Sequence, residues 1–173
     1  MSKILAFTGS SSSTSINQQL LQYTISTVLK SEVDHIDLKL LNVPIYSEDI
    51  ENSEGIPTDI QNLKTKLDNY SALIVAVNEH NGTMSAFFKN ITDWLSRTDS
   101  KYLNHKKIFI LSTSPGGGAA KSSLSYTTEN FTKFGGNVIG QFSLPHFQDN
   151  FTKSGLTDEF DNDLKTSIAE FEN

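Results

Sequence analysis

The feature that most constrains this chain is an alternation that runs from end to end: short apolar runs take turns with stretches whose apolar residues recur every three or four positions. The runs are Ile4 to Phe7, Val33 to Leu38 through His35 and Ile36, Ala72 to Val77, Ile108 to Leu111, and Val138 to Phe142. The unbroken Ala72-Leu-Ile-Val-Ala-Val77 reads as a central strand buried on both faces, as a parallel sheet covered by helices requires. Between the runs, Ile16, Leu20, Leu21, Ile25, Val28 and Leu29 lay one stripe along a helix of about four turns. Pro57 and Thr58 carry start signals for a helix with Ile60, Leu63 and Leu67 inward. Phe87, Phe88, Ile91, Trp94 and Leu95 define a third helix, with Lys89 and Asp93 outward. Leu124, Thr128 and Phe131 define a fourth, and Phe160, Leu164, Ile168 and Phe171 a closing one. The acidic stretch from Leu40 to Pro57 holds two of the four prolines and reads as a surface loop.

Right-handed crossovers turn such a pattern into a three-layer α/β sandwich, a five-stranded parallel sheet of order 2-1-3-4-5 with helices on both faces. There are no repeats or linkers, so residues 1–173 are expected to form a single domain. Ligands of such sheets bind beyond the carboxyl ends of strands one and three, where the topology changes direction. The loops at that edge are the place to look.

Composition narrows the classes of function. Twenty acids against 14 bases give a net charge of −6, so no basic stripe is available to neutralise a nucleic acid backbone. No apolar run approaches the roughly 20 residues of a membrane span, and the N-terminus has no signal-peptide pattern, so a cytoplasmic protein is expected. Cysteine is absent, which excludes disulfides, thiolate catalysis and zinc ribbons. The histidines at 35, 80, 105 and 146 have no ligand-like spacing, and no metal site is expected.

Three loops stand out. Thr8 to Asn17 carries six hydroxyl side chains between Ser10 and Ser15 and runs straight into a helix, whose first amides lack intrahelical partners and attract an anion. That chemistry suits a phosphate; the bland alternative is a flexible connection whose last hydroxyl caps the helix. It matches neither GxxxxGK[ST] nor GxGxxG, which disfavours a nucleotide triphosphatase and a dinucleotide site. Asn78 to Thr83 follows strand three. Ser112 to Gly118 follows strand four, either as a plain turn or as backbone lying flat against a planar ligand.

Together these loops resemble those of the NADPH-dependent FMN reductases, flavodoxin-like proteins that include chromate, quinone and azo-dye reductases. The family pattern Gly-Ser-x-Arg-x-x-Ser-x-Asn is met at Gly9, Ser10, Ser15 and Asn17, with Ser12 at the arginine position. Pro-Glu-Tyr-Asn-Gly-Ser appears as Asn78-Glu79-His80-Asn81-Gly82-Thr83, followed by Lys89-Asn90-Ile91-Thr92-Asp93-Trp94-Leu95-Ser96 for Lys-Asn-x-x-Asp-Trp-Leu-Ser. Ser-x-Ser-Pro-Gly-Gly is Ser112 to Gly117. The resemblance implies that Gly9, Ser10, Ser12, Ser15, Ile16 and Asn17 hold the FMN phosphate. It implies that Asn78, Glu79, His80 and Asn81 flank the isoalloxazine, and that Ser114, Pro115, Gly116 and Gly117 follow its other edge.

The expected activity is transfer of a hydride from NAD(P)H, a co-substrate, through FMN to a small electron acceptor: a quinone, azo dye, free flavin or metal oxyanion. The redox chemistry belongs to the cofactor, so no catalytic side chain is required. A flavodoxin-type electron carrier is the alternative. A response-regulator receiver is disfavoured, because Gly9-Ser10 and Asn78 stand where its acids would be. Relatives pair across the helices after strands three and four, which implies a homodimer or homotetramer. A second, outward apolar stripe is expected on Met84 to Arg97 to support it.

Overall fold

The computed structural model describes residues 3–173. Its main sheet has five parallel strands in the order β2-β1-β3-β4-β5: β1 Ile4–Thr8, β2 Val33–His35, β3 Ala72–Val77, β4 Lys107–Thr113 and β5 Asn137–Leu144. In register, Ile4 sits beside Ala72 of β3, which sits beside Lys107 of β4. A register shift at Ile108 and Phe109 bends the β4–β5 ladder, and the expected order is met.

Strand alternation sends each side chain to one of two cores. Leu5, Phe7, Leu73, Val75, Val77, Ile108 and Ile110 pack beneath α3 (Thr58–Asp68), α4 (Ala86–Thr98) and α5 (Lys121–Lys133). Ile4, Ala6, Ala72, Ile74, Ala76, Phe109 and Leu111 pack beneath α1 (Ile16–Tyr23) and α7 (Asp158–Glu172). The three layers follow directly from six consecutive buried residues in β3.

The first helix passes into a π turn at Thr24–Val28, where Thr24 Oγ1 donates to the Leu20 carbonyl at 2.9 Å. Strand β2 is shorter than its apolar run suggests. Leu38 leaves the strand for a 3₁₀ turn at Leu38–Leu40, started by Asp37, whose carboxylate accepts from the Lys39 amide.

Two regions differ from expectation. The stretch from Leu40 to Pro57 is not all loop: Glu48–Glu54 forms α2. Ser47 caps it, and Glu48, Asp49 and Glu51 complement the dipole of its first turn. It buries no residue, so it has no apolar period to read. Contacts around it hold it in place: Tyr46 meets Trp94 edge to face at 5.0 Å, and Trp94 Nε1 donates to the Pro44 carbonyl at 2.8 Å. Arg97 completes the clasp on Glu51 at 2.9 Å. After β5, the one-turn α6 (Phe147–Asn150) and a small hairpin of β6 (Phe151–Thr152) and β7 (Gly155–Leu156) precede α7, where the sequence showed no period.

The outward stripe expected on Met84 to Arg97 is also corrected. Met84, Phe88, Ile91, Trp94 and Leu95 are buried, and Phe87 is half-buried. The most exposed large apolar side chains among the described residues lie instead on the segment before α2, at Leu40 and Ile45, each 82% exposed. The segment around Tyr46 has folded over the helix and taken its outer face.

Candidate active site

At the carboxyl edge of the sheet, the loops after β1, β3 and β4 converge on one cleft. It is lined by Ser10, Ser12, Thr14, Ser15, Ile16 and Asn17 from the first, Asn78 and Glu79 from the second, and Thr113, Ser114 and Pro115 from the third. The cleft straddles the strand-order reversal between β1 and β3, as the topology demands.

The first loop is wound on its own hydroxyls. Ser10 Oγ accepts from the Ser12 amide at 3.3 Å, and Ser12 Oγ accepts from the Thr14 amide at 3.2 Å. Ser15 is the N-cap of α1, its Oγ accepting from the Gln18 amide at 3.2 Å. Both readings of the serine run therefore meet in one residue set. The cap leaves the Ile16 and Asn17 amides opening the helix without intrahelical partners, and each serine hydroxyl keeps a proton to donate.

Asn17 has a second task. Its buried amide donates from Nδ2 to the Thr113 carbonyl at 3.1 Å and accepts the Thr113 amide at Oδ1 at 2.9 Å. This two-point bond spans the gap between the first and third loops and sets their spacing. Gly9 lies beneath the cleft, outside its lining. A Cβ there would stand 2.6 Å from Phe88 Cδ1, so glycine lets β1 approach α4, and its carbonyl accepts from Ser85 Oγ at 2.7 Å.

The second loop is held from behind. Glu79 accepts the Ser123 amide at 3.0 Å, capping the first turn of α5, and Ser123 Oγ donates to the Asn78 carbonyl at 2.8 Å. His80 and Thr83 pair across a tight turn with Asn81 at φ 52° and Gly82 at φ 80°, as Asn-Gly turns favour. His80 and Asn81 are exposed beside the cleft, and His80 Nε2 lies 3.1 Å from Asn78 Nδ2. Asn78 Oδ1 is buried and has no hydrogen-bond partner in the protein.

The third loop ends in two consecutive left-handed residues, Ala119 at φ 55° and Ala120 at φ 57°. They are secured by Ser112 Oγ and Ser143 Oγ, both donating to the Ala119 carbonyl, at 2.9 and 2.7 Å. Gly116 and Gly117 are exposed at the rim rather than in the lining. Gly117 faces a residue that the sequence did not single out: a Cβ at 117 would stand 3.1 Å from His146 Nε2. His146 follows β5 with φ 45°, and its amide donates to the Gly116 carbonyl at 3.1 Å. Only its place directly after a strand of the same edge signalled it.

These residues fit an FMN. Helix amides and hydroxyls supply donors for a phosphate. Where a Cβ would stand at Gly116 or Gly118 there is open space, which leaves the backbone bare for a ring. Among the described residues no cluster able to hold a metal ion is present.

The fold and the cleft define a flavodoxin-like flavin protein. Residues 2–149 match the NADPH-dependent FMN reductase family, and the chain belongs to that family. It is 32% identical over 148 residues to an uncharacterized protein of Mycoplasma pneumoniae, covering 81% of this chain and 85% of that one. It is 30% identical over 115 residues to the NAD(P)H-dependent FMN reductase of Pseudomonas aeruginosa, covering 66% of this chain and 60% of that protein. Among solved structures, FerB of Paracoccus denitrificans, a flavoenzyme NAD(P)H:(acceptor) oxidoreductase, superposes with a TM-score of 0.77. At 19% identity over 99% of this chain and 95% of FerB, that likeness shows the shared fold.

Proposed function

We propose that this chain is an FMN-dependent oxidoreductase that takes a hydride from NAD(P)H and reduces a small acceptor such as a quinone, azo dye, free flavin or metal oxyanion. The observation that carries the reading is the convergence of the three loops, with their phosphate-type donors and bare backbone, on one cleft at the strand-order reversal. FMN, when bound, supplies the hydride-accepting ring.

The protein binds and orients. Ser10 to Asn17 hold the phosphate end, Asn78 and Glu79 approach the middle of the ligand, and Ser114 to Gly117 with His146 border the ring. Among the described residues none lining the cleft is aromatic. One flavin face therefore stays open, and nicotinamide and acceptor take turns at it, which gives ping-pong kinetics. The same openness favours a reductase over an electron carrier, whose ring is usually shielded between aromatic side chains.

Residues 1–173 act in this reading as one FMN-binding domain. It works as a homodimer or a homotetramer, supported by the bare apolar residues Leu40 and Ile45 and by the groove beside them, which Leu41, Val43, Ala86 and Phe87 line. Dependence on NAD(P)H favours a cytoplasmic setting. Among the described residues no helix is long and apolar enough to cross a membrane. Purified protein is expected to be yellow after FMN loading and to oxidise NAD(P)H when menadione is added. A protein that binds FMN but leaves NAD(P)H untouched with every acceptor is a carrier instead.

A further inference from the structure

We propose that His146 selects the electron acceptor: its imidazole meets the carbonyl oxygen of an incoming quinone, so that the site favours carbonyl acceptors over oxidants that take electrons alone. This assignment rests on reading the cleft as the site of a reductase, and it names the substrate group that the site recognises.

Three histidines lie at the carboxyl edge of the sheet: His35 at the end of β2, His80 after β3 and His146 after β5. Two of them are tied to side-chain amides. His35 Nε2 lies 3.2 Å from Gln18 Nε2, and His80 Nε2 lies 3.1 Å from Asn78 Nδ2. The ring of His146 has no such tie among the described residues, and the residue is exposed.

The backbone of His146, by contrast, is held at several points. Its amide donates to the Gly116 carbonyl and the Phe147 amide donates to the Ser114 carbonyl, both at 3.1 Å, which laces this turn to the third loop. The His146 carbonyl accepts the Asp149 and Asn150 amides at 2.9 and 3.1 Å, and Phe147 is buried. A φ of 45° is a costly conformation for a residue with a side chain, and it persists only where the surroundings impose it. The third loop makes room in turn: a Cβ at position 117 would stand 3.1 Å from His146 Nε2, and the residue there is glycine. Strain in one loop and a missing side chain in the other serve the same placement, an anchored backbone that carries an unpaired imidazole at the rim of the cleft. A side chain kept for the fold would be buried or bonded; this one is neither.

Either neutral tautomer gives the ring an N–H to donate. Reduction of a quinone to a hydroquinone takes two electrons and two protons. The hydride brings both electrons and one proton, and negative charge gathers on a carbonyl oxygen until the second proton arrives from solvent. A donor fixed at that oxygen stabilises the charge as it develops. The hydroxyl of Ser114, on the same rim, spends its proton on the Gly116 carbonyl at 3.1 Å. Ferricyanide takes one electron and no proton, so it gains nothing from the donor.

The test compares wild type with His146→Gly, which removes the imidazole and suits the left-handed backbone. The FMN-loaded proteins are assayed with NAD(P)H and either menadione or ferricyanide. Binding of menadione to the oxidised protein is followed separately, through the change in flavin absorbance. In His146→Gly the ratio of menadione to ferricyanide kcat/KM is expected to fall about tenfold or more, as for loss of one donor to developing charge. The menadione dissociation constant is expected to rise about fivefold, the equivalent of one neutral hydrogen bond. The melting temperature should hold or rise, because backbone strain is relieved. The FMN dissociation constant should change by less than about threefold. His146→Gln and His146→Leu form a second pair, since both keep a side chain on the strained backbone and only glutamine carries an N–H. The ratio for the glutamine variant is expected to exceed that for the leucine variant by about fivefold, and this pair decides the matter if the glycine variant is unstable. An unchanged ratio in a stable His146→Gly, or equal ratios for glutamine and leucine, overturns the proposal. If wild type oxidises NAD(P)H with neither oxidant, the reductase reading fails first, and the proposal with it.

Discussion

The two edges of the sheet are built from similar polar residues to opposite ends. At the amino edge Lys3, Asp34 and Lys106 are closed on neighbours. Lys106 is buried, and its ammonium donates to the carbonyls of Leu67 and Tyr70 at 2.7 and 2.9 Å, finishing the C-terminus of α3. Burial pushes the pKa of that ammonium down, yet both bonds require its protons. Beside it, the Tyr70 hydroxyl donates to the Asp34 carboxylate, which also pairs with Lys3. At the carboxyl edge the hydrogen bonding is unfinished: a buried amide oxygen without a partner, hydroxyls with protons to spare, and helix amides that face a cleft. A shallow basin also lies at the amino edge, bordered by Lys3, Tyr70, His105 and Lys106. Its Lys3, Tyr70 and Lys106 are already engaged, by Asp34 and by the end of α3. The two concavities differ in what lines them: charged groups already paired at the amino edge, hydroxyl and amide groups at the carboxyl edge.

The sharpest way to break this comparison is to open the closed edge. Lys106→Met removes two bonds from a charged donor and leaves the end of α3 without its cap, for an expected loss of about 2–3 kcal/mol in unfolding free energy. Flavin affinity should be unchanged, and urea denaturation with a flavin titration on the folded variant checks both. A change in affinity would mean that the two edges are coupled.

Next comes the tie within the binding edge. Asn17→Ala deletes the two-point bond to Thr113 and strands two buried backbone groups, at an expected cost of about 2 kcal/mol. Unlike Lys106→Met, it should also weaken FMN by tenfold or more, about 1.4 kcal/mol, because the first and third loops lose their fixed spacing.

A smaller effect is expected at the rim. Gly117→Val drives a branched side chain against His146 Nε2, and the shift of that ring and loop should weaken FMN about tenfold with little loss of stability. Combining it with His146→Ala tests the cause: recovered affinity places the conflict at the imidazole, and no recovery places it at the flavin itself.

The smallest effect is an acid one. The Tyr70 hydroxyl, and after it Lys3, hold the Asp34 carboxyl below the usual carboxylate range. Since its folded pKa lies below the unfolded value of about 3.9, this carboxylate adds stability above that pH and loses it as pH falls further. The melting temperatures of wild type and Asp34→Asn should therefore converge as pH drops below about 4.

What the sequence revealed follows the same division. The sheet order and the three loops that meet at its carboxyl edge were legible because buried strands leave unbroken apolar runs, and because their ends break into glycine and hydroxyl residues. Helix α2 was not legible, since a helix whose one apolar contact with the core is the half-buried Ile50 leaves no period, and its cap and acidic first turn were lost in an acidic stretch. The outer face of α4 was misread for a related reason: periodicity shows that a helix has two apolar faces, but not that Pro44 and Tyr46 will cover the second. Residue types pointed to loops that do converge on one cleft, without separating their tasks. Asn17 fits a phosphate loop in sequence, and in space it spends its amide on Thr113. Glu79 reads as a flavin neighbour and also caps α5. His146 was missed because a single residue after a strand has no pattern to carry it.

The left-handed pair at Ala119 and Ala120 has a mechanical consequence. Holding alanine in that mirror-image conformation costs about 1–2 kcal/mol per residue, and the hydroxyls of Ser112 and Ser143 pin it from two adjacent strands. The Ser114 and Gly116 carbonyls accept the Phe147 and His146 amides, so the segment from Ser114 to Gly118 is tied along its length as well as at its far end.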